Sequence, residues 1–503
     1  MNSPAISAKH FLLGDLLAGF VADVGDGEIP VADLTLDSRK VIPGSLFLAA
    51  QGMTRHGLDF AEQAQSRGAA AIAWEPVKGV APPDLSIPLV AVENLGRNAG
   101  LIANRFFGMP SEEMTVTGVT GTNGKTSVCS FIAQALDSAD VKCGVIGTLG
   151  AGFPGALQPG DYTTPDAVEL HRQLAMLKGM GASAVAMEVS SHALDQDRAA
   201  AVNFDHAVFT NLSRDHLDYH GDMQAYGDAK RRLFGWAGLR AAIVNADDPF
   251  GRDLLDEIAG RVETTAYSVN GPVAGVRNLV AHNLEADTEG FRFMLEGADQ
   301  RIPVSSRLMG VFNVQNILAA IGALLEHGMD LAEAARAMAD VEAVPGRMER
   351  FGGGELPLVI VDYAHTPDAL KKALTASRQH TRGKLIVVFG CGGDRDWGKR
   401  PFMGEIAERY ADMHIITNDN PRSEDPQDIV AQIRAGLKSP RKMPVVLDRE
   451  EAIRAALNVA QPGDCVLVAG KGHEDYQIIG DERLPFSDRE VVARLLADLG
   501  GMQ

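Results

Sequence analysis

Residues 114–127 read MTVTGVTGTNGKTS, and no other stretch limits the fold of this chain so tightly. A β-rich run ends in closely spaced glycines, then Lys125 and Thr126, then a helical pattern, SVCSFIAQALDSA. Glycines let a loop curl so that several N–H groups meet one phosphate. A lysine adds a point charge, a threonine offers its hydroxyl to Mg²⁺, and a helix N-terminus adds its dipole. The common form of this loop is G-x-x-x-x-G-K-[ST]. Here five residues separate Gly118 from Gly124, so the loop is a variant. The competing reading, a Gly-rich turn ahead of an ordinary helix, leaves the order of strand, loop, Lys-Thr and helix without a reason.

Around that loop the pattern is α/β. The first hundred or so residues alternate short strands (LTLDS, SLFLAA, AAIAW, PLVAVE) with the helical GLDFAEQAQSRG. After the loop come apolar strands at ASAVAMEVS, HAVFTNL and AAIVNAD, each with a polar end, as in a mostly parallel sheet that binds ligands at its carboxyl edge. Val344-Pro345-Gly346-Arg347 reads as a linker. Beyond it, LPLVIVDYA, KLIVVFG, MHIITND and DCVLVAG alternate with PDALKKALTASRQ, KRPFMGEIAERYA and DPQDIVAQIRAGL, again a doubly wound pattern. The chain therefore divides into three α/β domains, 1–96, 97–344 and 345–503.

Composition sets outer bounds. A net charge of −19 argues against a nucleic-acid protein, which would carry a basic footprint. Cys129, Cys143, Cys391 and Cys465 form no CxxC or zinc spacing, so reduced thiols are expected. No uncharged apolar run is long enough to span a bilayer. The N-terminal AKHFLLGDLLAGFVADVGD is interrupted by Asp15 and lacks a basic start, so it reads as an amphipathic helix rather than a signal peptide. The expectation is a cytoplasmic protein without membrane insertion.

Several strand ends carry residues suited to chemistry. Glu188 in MEVSSHAL could ligate a metal or orient water beside the phosphate loop; alternatively it is a solvated strand end. Asn211, Asp215, His216, Asp218 and His220 crowd into TNLSRDHLDYHG and suit Mg²⁺ or Mn²⁺, or simply cap the next helix. Lys230 in AYGDAKRRLF reads as a solvated helix lysine. Arg347 after the linker could stabilise transferring phosphoryl charge, or form a surface ion pair. In Asp419-Asn420-Pro421-Arg422 a carboxylate and a guanidinium on a stiff loop read as a clamp for a zwitterion. Gly470-Lys471-Gly472-His473-Glu474 pairs close-approach backbone with a carboxylate.

Taken in order, LDSRKVIPGSLFLA, GVTGTNGKTS, TTPD, MEVSSHAL, TNLSRDHLDYHG, GVFNVQN, PGRMER, DYAHTPDAL, FGCGGDRDWGKRP, DNPR and GKGHEDYQ closely resemble the Mur ligases over nearly the whole chain. The resemblance implies an N-terminal uridine-nucleotide-binding domain, a central P-loop ATPase-type domain with a parallel sheet, and a C-terminal Rossmann-like domain. It implies a monomeric, ATP-dependent amide-forming ligase of peptidoglycan precursor synthesis. ATP would phosphorylate the D-glutamyl γ-carboxylate of UDP-MurNAc-L-Ala-D-Glu, and an amine of meso-2,6-diaminopimelate would displace the phosphate.

Residue by residue, the resemblance puts Leu36, Ser38, Thr163, Thr164, Ser190, Gln196 and Arg198 on the UDP-sugar dipeptide, with the backbone near Thr54 and Arg55 helping. It puts Gly121, Thr122, Asn123, Gly124, Lys125, Thr126, Ser127, Asn313, Asn316, Arg347, Asp362 and His365 on ATP. Thr126, Glu188, His216 and a carbamylated Lys230 would hold Mg²⁺, and Lys125, Lys230, Glu188, His216 and Arg347 would serve catalysis. Arg395, Asp419, Asn420, Pro421, Arg422, Gly470 and Glu474 would grip diaminopimelate. Within the family DNPR points to diaminopimelate over lysine, because Arg422 would be left unpaired without the second carboxylate. Trp397 departs from the family's usual polar residue, while Arg395 is retained.

Two rivals differ in what they require. A folylpolyglutamate synthase type shares the phosphate loop but has no use for LDSRKVIPGSLF or DNPR. A nucleotide-switched P-loop protein would make no covalent product and would need no amino-acid clamp.

Overall fold

The computed structural model describes residues 11–439 and 443–501, apart from residues 23 and 26. It forms two compact units. One holds the described residues up to Ser268 together with Pro272–Asn278 and Ala319–Asp330; the other holds Val269–Gly271, Leu279–Leu318 and the described residues from Leu331 onward.

In the first unit, strands Asp33–Thr35, Ser45–Ala49, Ala71–Trp74 and Leu89–Ala91 pair in that order as a parallel sheet. The strand Ser45–Ala49 is buried along its whole length, the mark of a strand covered on both faces. A second sheet runs Cys143–Gly147, Ala184–Glu188, Thr115–Thr120, His206–Phe209, Ala241–Asn245 and Glu263–Ser268, all parallel. The hairpin strands Gly150–Phe153 and Ala156–Gln158 extend its edge antiparallel. The Gly-rich loop leaves the strand Thr115–Thr120 at its carboxyl end, in the middle of this sheet. Gly118 belongs to the strand and not to the loop: a Cβ there would sit 2.8 Å from the Phe204 ring. The spacing that looked like a variant loop thus begins at a packing glycine.

The helices around these sheets end where the sequence supplies caps. The Asp166 carboxylate accepts from the N–H groups of Val168 and Glu169 to start Ala167–Gly179, and Asp248 accepts from Phe250 and Gly251 to start Pro249–Ile258. The N-terminal amphipathic helix is not formed as expected. Phe11–Leu12 pair with Pro30–Val31, among the described residues of the segment only Leu13–Leu17 is helical, and Gly19 turns the chain at φ +85°. The Leu13 N–H donates to Ile29 O, so the strand pair captures the start of the apolar run; residues 8–10, 23 and 26 of the segment lie outside the described residues.

In the second unit, Leu358–Asp362, Cys465–Ala469, Leu385–Phe389 and Met413–Ile416 form a parallel sheet in that order, edged antiparallel by Glu349–Gly352. The strand LIVVF is buried throughout, with apolar clusters on both faces. Most of Arg277–Asp287, with Gly290–Gly297 and Gln300–Ser306, makes an antiparallel meander that the sequence reading left unassigned. Among the described residues no helix is long and apolar enough to cross a membrane. All four cysteines are free and buried, as expected of reduced thiols.

Candidate active site

The loop after Thr115–Thr120 has a backbone shape that can receive an anion. Gly121 has φ +148°, and Gly124 has φ +89° as the residue before the helix Lys125–Ser138. No side chain caps that helix, so its first N–H groups face the loop. The loop is bolted to the end of the neighbouring strand. Thr122 N donates to Asn211 O (2.8 Å), Asn123 N to Asn211 Oδ1 (3.0 Å), and Thr210 Oγ1 to Asn123 O (2.6 Å). Lys125 Nζ donates to the carbonyls of Gly121 and Thr122, both at 2.9 Å.

Glu188 ends its strand buried, not solvated. Its Oε1 accepts from Thr126 Oγ1 (2.9 Å) and from the Thr148 N–H (2.8 Å), and its Oε2 from Thr148 Oγ1 (3.2 Å). The Thr148 hydroxyl meets that of Thr163 at 3.0 Å. Thr164 Oγ1 donates to Glu188 O (2.9 Å) and accepts from Ser190 N (3.1 Å). Arg198 donates to Thr164 O (3.3 Å) and to Gln196 Oε1, and Gln196 Nε2 reaches Tyr219 OH at 3.0 Å. Thr126, Glu188, Thr163, Thr164, Ser190, Gln196 and Arg198 thus form one continuous network. Thr148, at its centre, was missed, because only the fold brings it to Glu188.

Lys230 is the largest departure from the residue-level reading. It is 1% exposed; its Nζ donates to Gly121 O (3.0 Å) and lies 4.4 Å from the Tyr226 ring. Burial, then the charge of Lys125, holds its amine well below the ordinary lysine range. Tyr226 in turn meets Thr122 Oγ1 at 3.1 Å. His216, in left-handed backbone at φ +52°, is half-exposed, 3.5 Å from Asp215 and ring to ring with His192 at 4.8 Å. Among the described residues no three His, Cys, Asp or Glu side chains are gathered as a metal set, so the crowd at 211–220 does not form one by itself.

Leu36 packs at the edge of the first sheet's core, and Ser38 is buried with its hydroxyl on Gln63 Oε1 (2.6 Å). Two residues on, Lys40 lines a cleft of about 150 Å³ with Asp161, Tyr162 and Asp166. Gln196 Nε2 also approaches Met53 Sδ (3.9 Å), beside Thr54 and Arg55.

The second unit groups the remaining residues. The Arg347 guanidinium lies 4.8 Å from the Tyr363 ring. Asp362 Oδ2 accepts from the Met348 N–H (2.8 Å); removal from solvent raises its carboxyl, and that N–H works against the rise. His365 is exposed, and its carbonyl takes Lys399 Nζ at 2.8 Å. Asn313 and Asn316 are buried in the apolar helix Val311–Glu326, where Asn316 donates to Asn313 Oδ1 (2.9 Å) and Asn313 to Met309 O (2.9 Å).

The clamp residues are close together. Asn420 Nδ2 donates to Glu474 Oε2 (3.0 Å), and Arg422 Nη1 donates to Gly393 O (2.7 Å) from left-handed backbone at φ +52°. A Cβ on Gly392 would lie 3.0 Å from Arg422 Nη1 and 3.6 Å from Arg395 Cγ, so both arginines flank that glycine. A Cβ on Gly470 would lie 2.6 Å from Asp419 Oδ2. Pro421 directs the turn so closely that its carbonyl oxygen would be 1.8 Å from a Cβ on Gly393.

Two buried supports were not read from the sequence. Arg449, paired with Asp488 at 2.7 and 2.8 Å, donates to Asn418 O (3.1 Å) and Ala469 O (3.0 Å), tying the two clamp loops together. Arg400 grips Glu424 at 2.7 and 2.8 Å and donates to Gly392 O (2.9 Å). Arg400 holds the Glu424 carboxyl down at about 2.

Residues 30–98 match the model described as Mur ligase family, catalytic domain; residues 119–324 match the Mur ligase middle domain; residues 346–472 match the Mur ligase, glutamate ligase domain. The chain is 51% identical over 481 residues to UDP-N-acetylmuramoyl-L-alanyl-D-glutamate–2,6-diaminopimelate ligase of Alkalilimnicola ehrlichii, covering 94% of this chain and 96% of the relative. It is 51% identical over 459 residues to the protein of the same name from Ectopseudomonas mendocina, covering 91% and 93%. A solved structure of a ligase of that name superposes with a TM-score of 0.76 at 35% identity, covering 98% of this chain and 99% of the other.

Proposed function

The chain belongs to the Mur ligase family, and on that basis we propose that it adds meso-2,6-diaminopimelate to UDP-MurNAc-L-Ala-D-Glu. It is an ATP-dependent, amide-forming ligase with the three-domain α/β fold of that family, and it acts in peptidoglycan precursor synthesis. The observation that carries the reading is the unbroken run of contacts from the phosphate loop through Thr126 and Glu188 to Thr163, Thr164, Ser190 and Arg198. It supports a site where a triphosphate and a peptide carboxylate are held side by side.

The loop N–H groups, Lys125 and the uncapped helix end bind the triphosphate. The donor set beside it fits magnesium: a threonine hydroxyl and a buried carboxylate are hard oxygens, and an ion that keeps several waters needs no larger protein cage. Thr126, Glu188, His216 and Lys230, if carbamylated, would hold it. When bound it neutralises phosphate charge that would otherwise repel the attacking carboxylate.

Lys230 suits carbamylation because only a neutral amine adds to CO₂, and burial beside Lys125 favours the neutral form. The product is an anion on a side chain already hydrogen-bonded to the phosphate loop. Asn313, Asn316, Arg347, Asp362 and His365 are the proposed nucleotide contacts of the second unit, with Arg347 offsetting charge on the transferring phosphoryl group.

Asp419 and Glu474 receive an ammonium, Arg395 and Arg422 receive a carboxylate, and Asn420 holds Glu474 through its NH₂ group. The reaction then has two displacements. The glutamyl oxygen takes the γ-phosphoryl group and releases ADP; the diaminopimelate amine attacks the acyl carbon, loses a proton and releases phosphate. The protein works as a cytoplasmic monomer in this reading. The test is to mix it with UDP-MurNAc-L-Ala-D-Glu, ATP, Mg²⁺ and meso-diaminopimelate. Tripeptide and ADP in equal amounts are expected; folded protein that forms neither refutes the assignment, and turnover of folate substrates instead would favour the sister ligase.

A further inference from the structure

Lys471 lies within the clamp and has no role in the reading above. From the sequence it is a lysine in a Gly-rich loop, where solvation is the ordinary outcome. The structure buries it completely. Its Nζ donates to Asn420 Oδ1 (3.0 Å) and to Glu474 Oε2 (2.9 Å), 5.4 Å from the Tyr476 ring centre. The Ile478 N–H donates to the same Asn420 oxygen (3.0 Å), and Asn420 Nδ2 donates to Glu474 Oε2 (3.0 Å).

These four bonds have a directional consequence. An amide has one oxygen edge and one NH₂ edge. With an ammonium and an N–H both aimed at Oδ1, turning the amide over would set donors against donors. The orientation of Asn420 is therefore fixed before any ligand arrives. At Glu474 both bonds go to Oε2, which leaves Oε1 as the acceptor for a further cation. The spacing of the two loops does not depend on Lys471, because Arg449 ties Asn418 O and Ala469 O together from beneath.

We propose that Lys471 is the positioning residue of the amino-acid clamp: its buried ammonium locks the Asn420 amide and, together with that amide, holds Glu474 by Oε2, so that Glu474 Oε1 is left to accept the ammonium group of the incoming amino acid. The proposal rests on the reading of residues 419–422 and 470–474 as the diaminopimelate site. A lysine kept only to stabilise the domain would not select among substrates; a positioning lysine acts on the amino acid alone.

Steady-state kinetics on the full chain separate these roles. In Lys471→Met, the KM for diaminopimelate should rise about tenfold or more, by a larger factor than kcat falls, while the KM values for ATP and for UDP-MurNAc-L-Ala-D-Glu stay within about twofold. Because Lys471 acts through Glu474, the effects should not multiply: Lys471→Met in a Glu474→Gln background should add about twofold or less. An unchanged diaminopimelate KM, or fully multiplicative losses, overturns the proposal. If Lys471→Met does not fold, Lys471→Gln, which is polar but uncharged and one bond too short to hold both partners, should show the same selective rise; failure of both to fold assigns Lys471 to stability and also overturns it. Wild-type protein that makes no tripeptide sinks the parent reading instead, so the two failures are distinguishable.

Discussion

Replacing Gly121 by alanine tests whether the loop geometry is what binds ATP. A Cβ at Gly121 would lie 1.9 Å from Thr210 Oγ1, 3.0 Å from Asn211 N and 3.1 Å from Asn211 O. The first contact is impossible, so the Thr210 hydroxyl must move and give up its bonds to Asn123 O (2.6 Å) and Thr120 O (3.3 Å). Losing them costs about 1–2 kcal/mol, and a non-glycine residue at φ +148° costs about 1–3 kcal/mol more. The native loop is then disfavoured by about 2–5 kcal/mol, which predicts a loss of about thirtyfold to a few thousandfold in kcat/KM for ATP, read as ADP release. In a Thr210→Ala background the clashing atom is gone, and about tenfold of that loss should return while the φ cost remains. Gly155→Ala is the control: φ is +79° with nothing within 4 Å, so ATP use should not change. Gly121→Ala with ATP kinetics within about threefold of wild type, or with the same loss in both backgrounds, refutes the reasoning.

Other outcomes follow from the same geometry. Lys230→Ala should abolish ligase activity, and added bicarbonate should not restore it; full activity would show that the buried amine has no part in the reaction. Arg422→Asn should raise the KM for diaminopimelate far more than that for ATP, and equal effects on both would remove Arg422 from the clamp. His206 and His327 share the Thr117 hydroxyl at 3.3 and 3.1 Å, and burial pulls them down to about 3 and about 4 from an ordinary 6.5. Asp205 and Arg240 are the charged groups beside them. The unfolded chain takes up these protons first, so their contribution to stability is complete above about pH 6.5 and is eroded as the pH falls toward 4. The melting temperature should therefore drop between pH 7.5 and pH 5, and His327→Leu should flatten the slope; an unchanged slope in that variant would exclude the pair as its source.

The alternation of strands and helices was legible because buried parallel strands such as LIVVF and AVAME read as unbroken apolar runs. The antiparallel meander was not read, since Gly290–Gly297 mixes buried and exposed positions and its register comes from its neighbours. The N-terminal segment misled because its periodicity outweighed Gly14 and Gly19, and the pairing of Phe11–Leu12 with Pro30–Val31 is non-local. The order of strand, Gly-rich loop and helix around residues 121–126 was legible from local residues alone, apart from Gly118, whose partner Phe204 is distant in the chain. Lysines were the hardest residues to place. Lys230 and Lys471 look like solvated side chains in sequence, and only the folded chain shows them buried against Gly121 and Asn420. Thr148 and Arg449 went unread for the same reason: their partners, Glu188 and Asp488, are 40 and 39 residues away.

The central claim is that ATP activates the glutamyl acid itself. Labelling the γ-carboxylate of UDP-MurNAc-L-Ala-D-Glu with oxygen-18 and collecting phosphate during turnover with diaminopimelate measures this directly. One labelled oxygen should appear in each released phosphate for every tripeptide formed. Tripeptide formed with unlabelled phosphate would contradict the account.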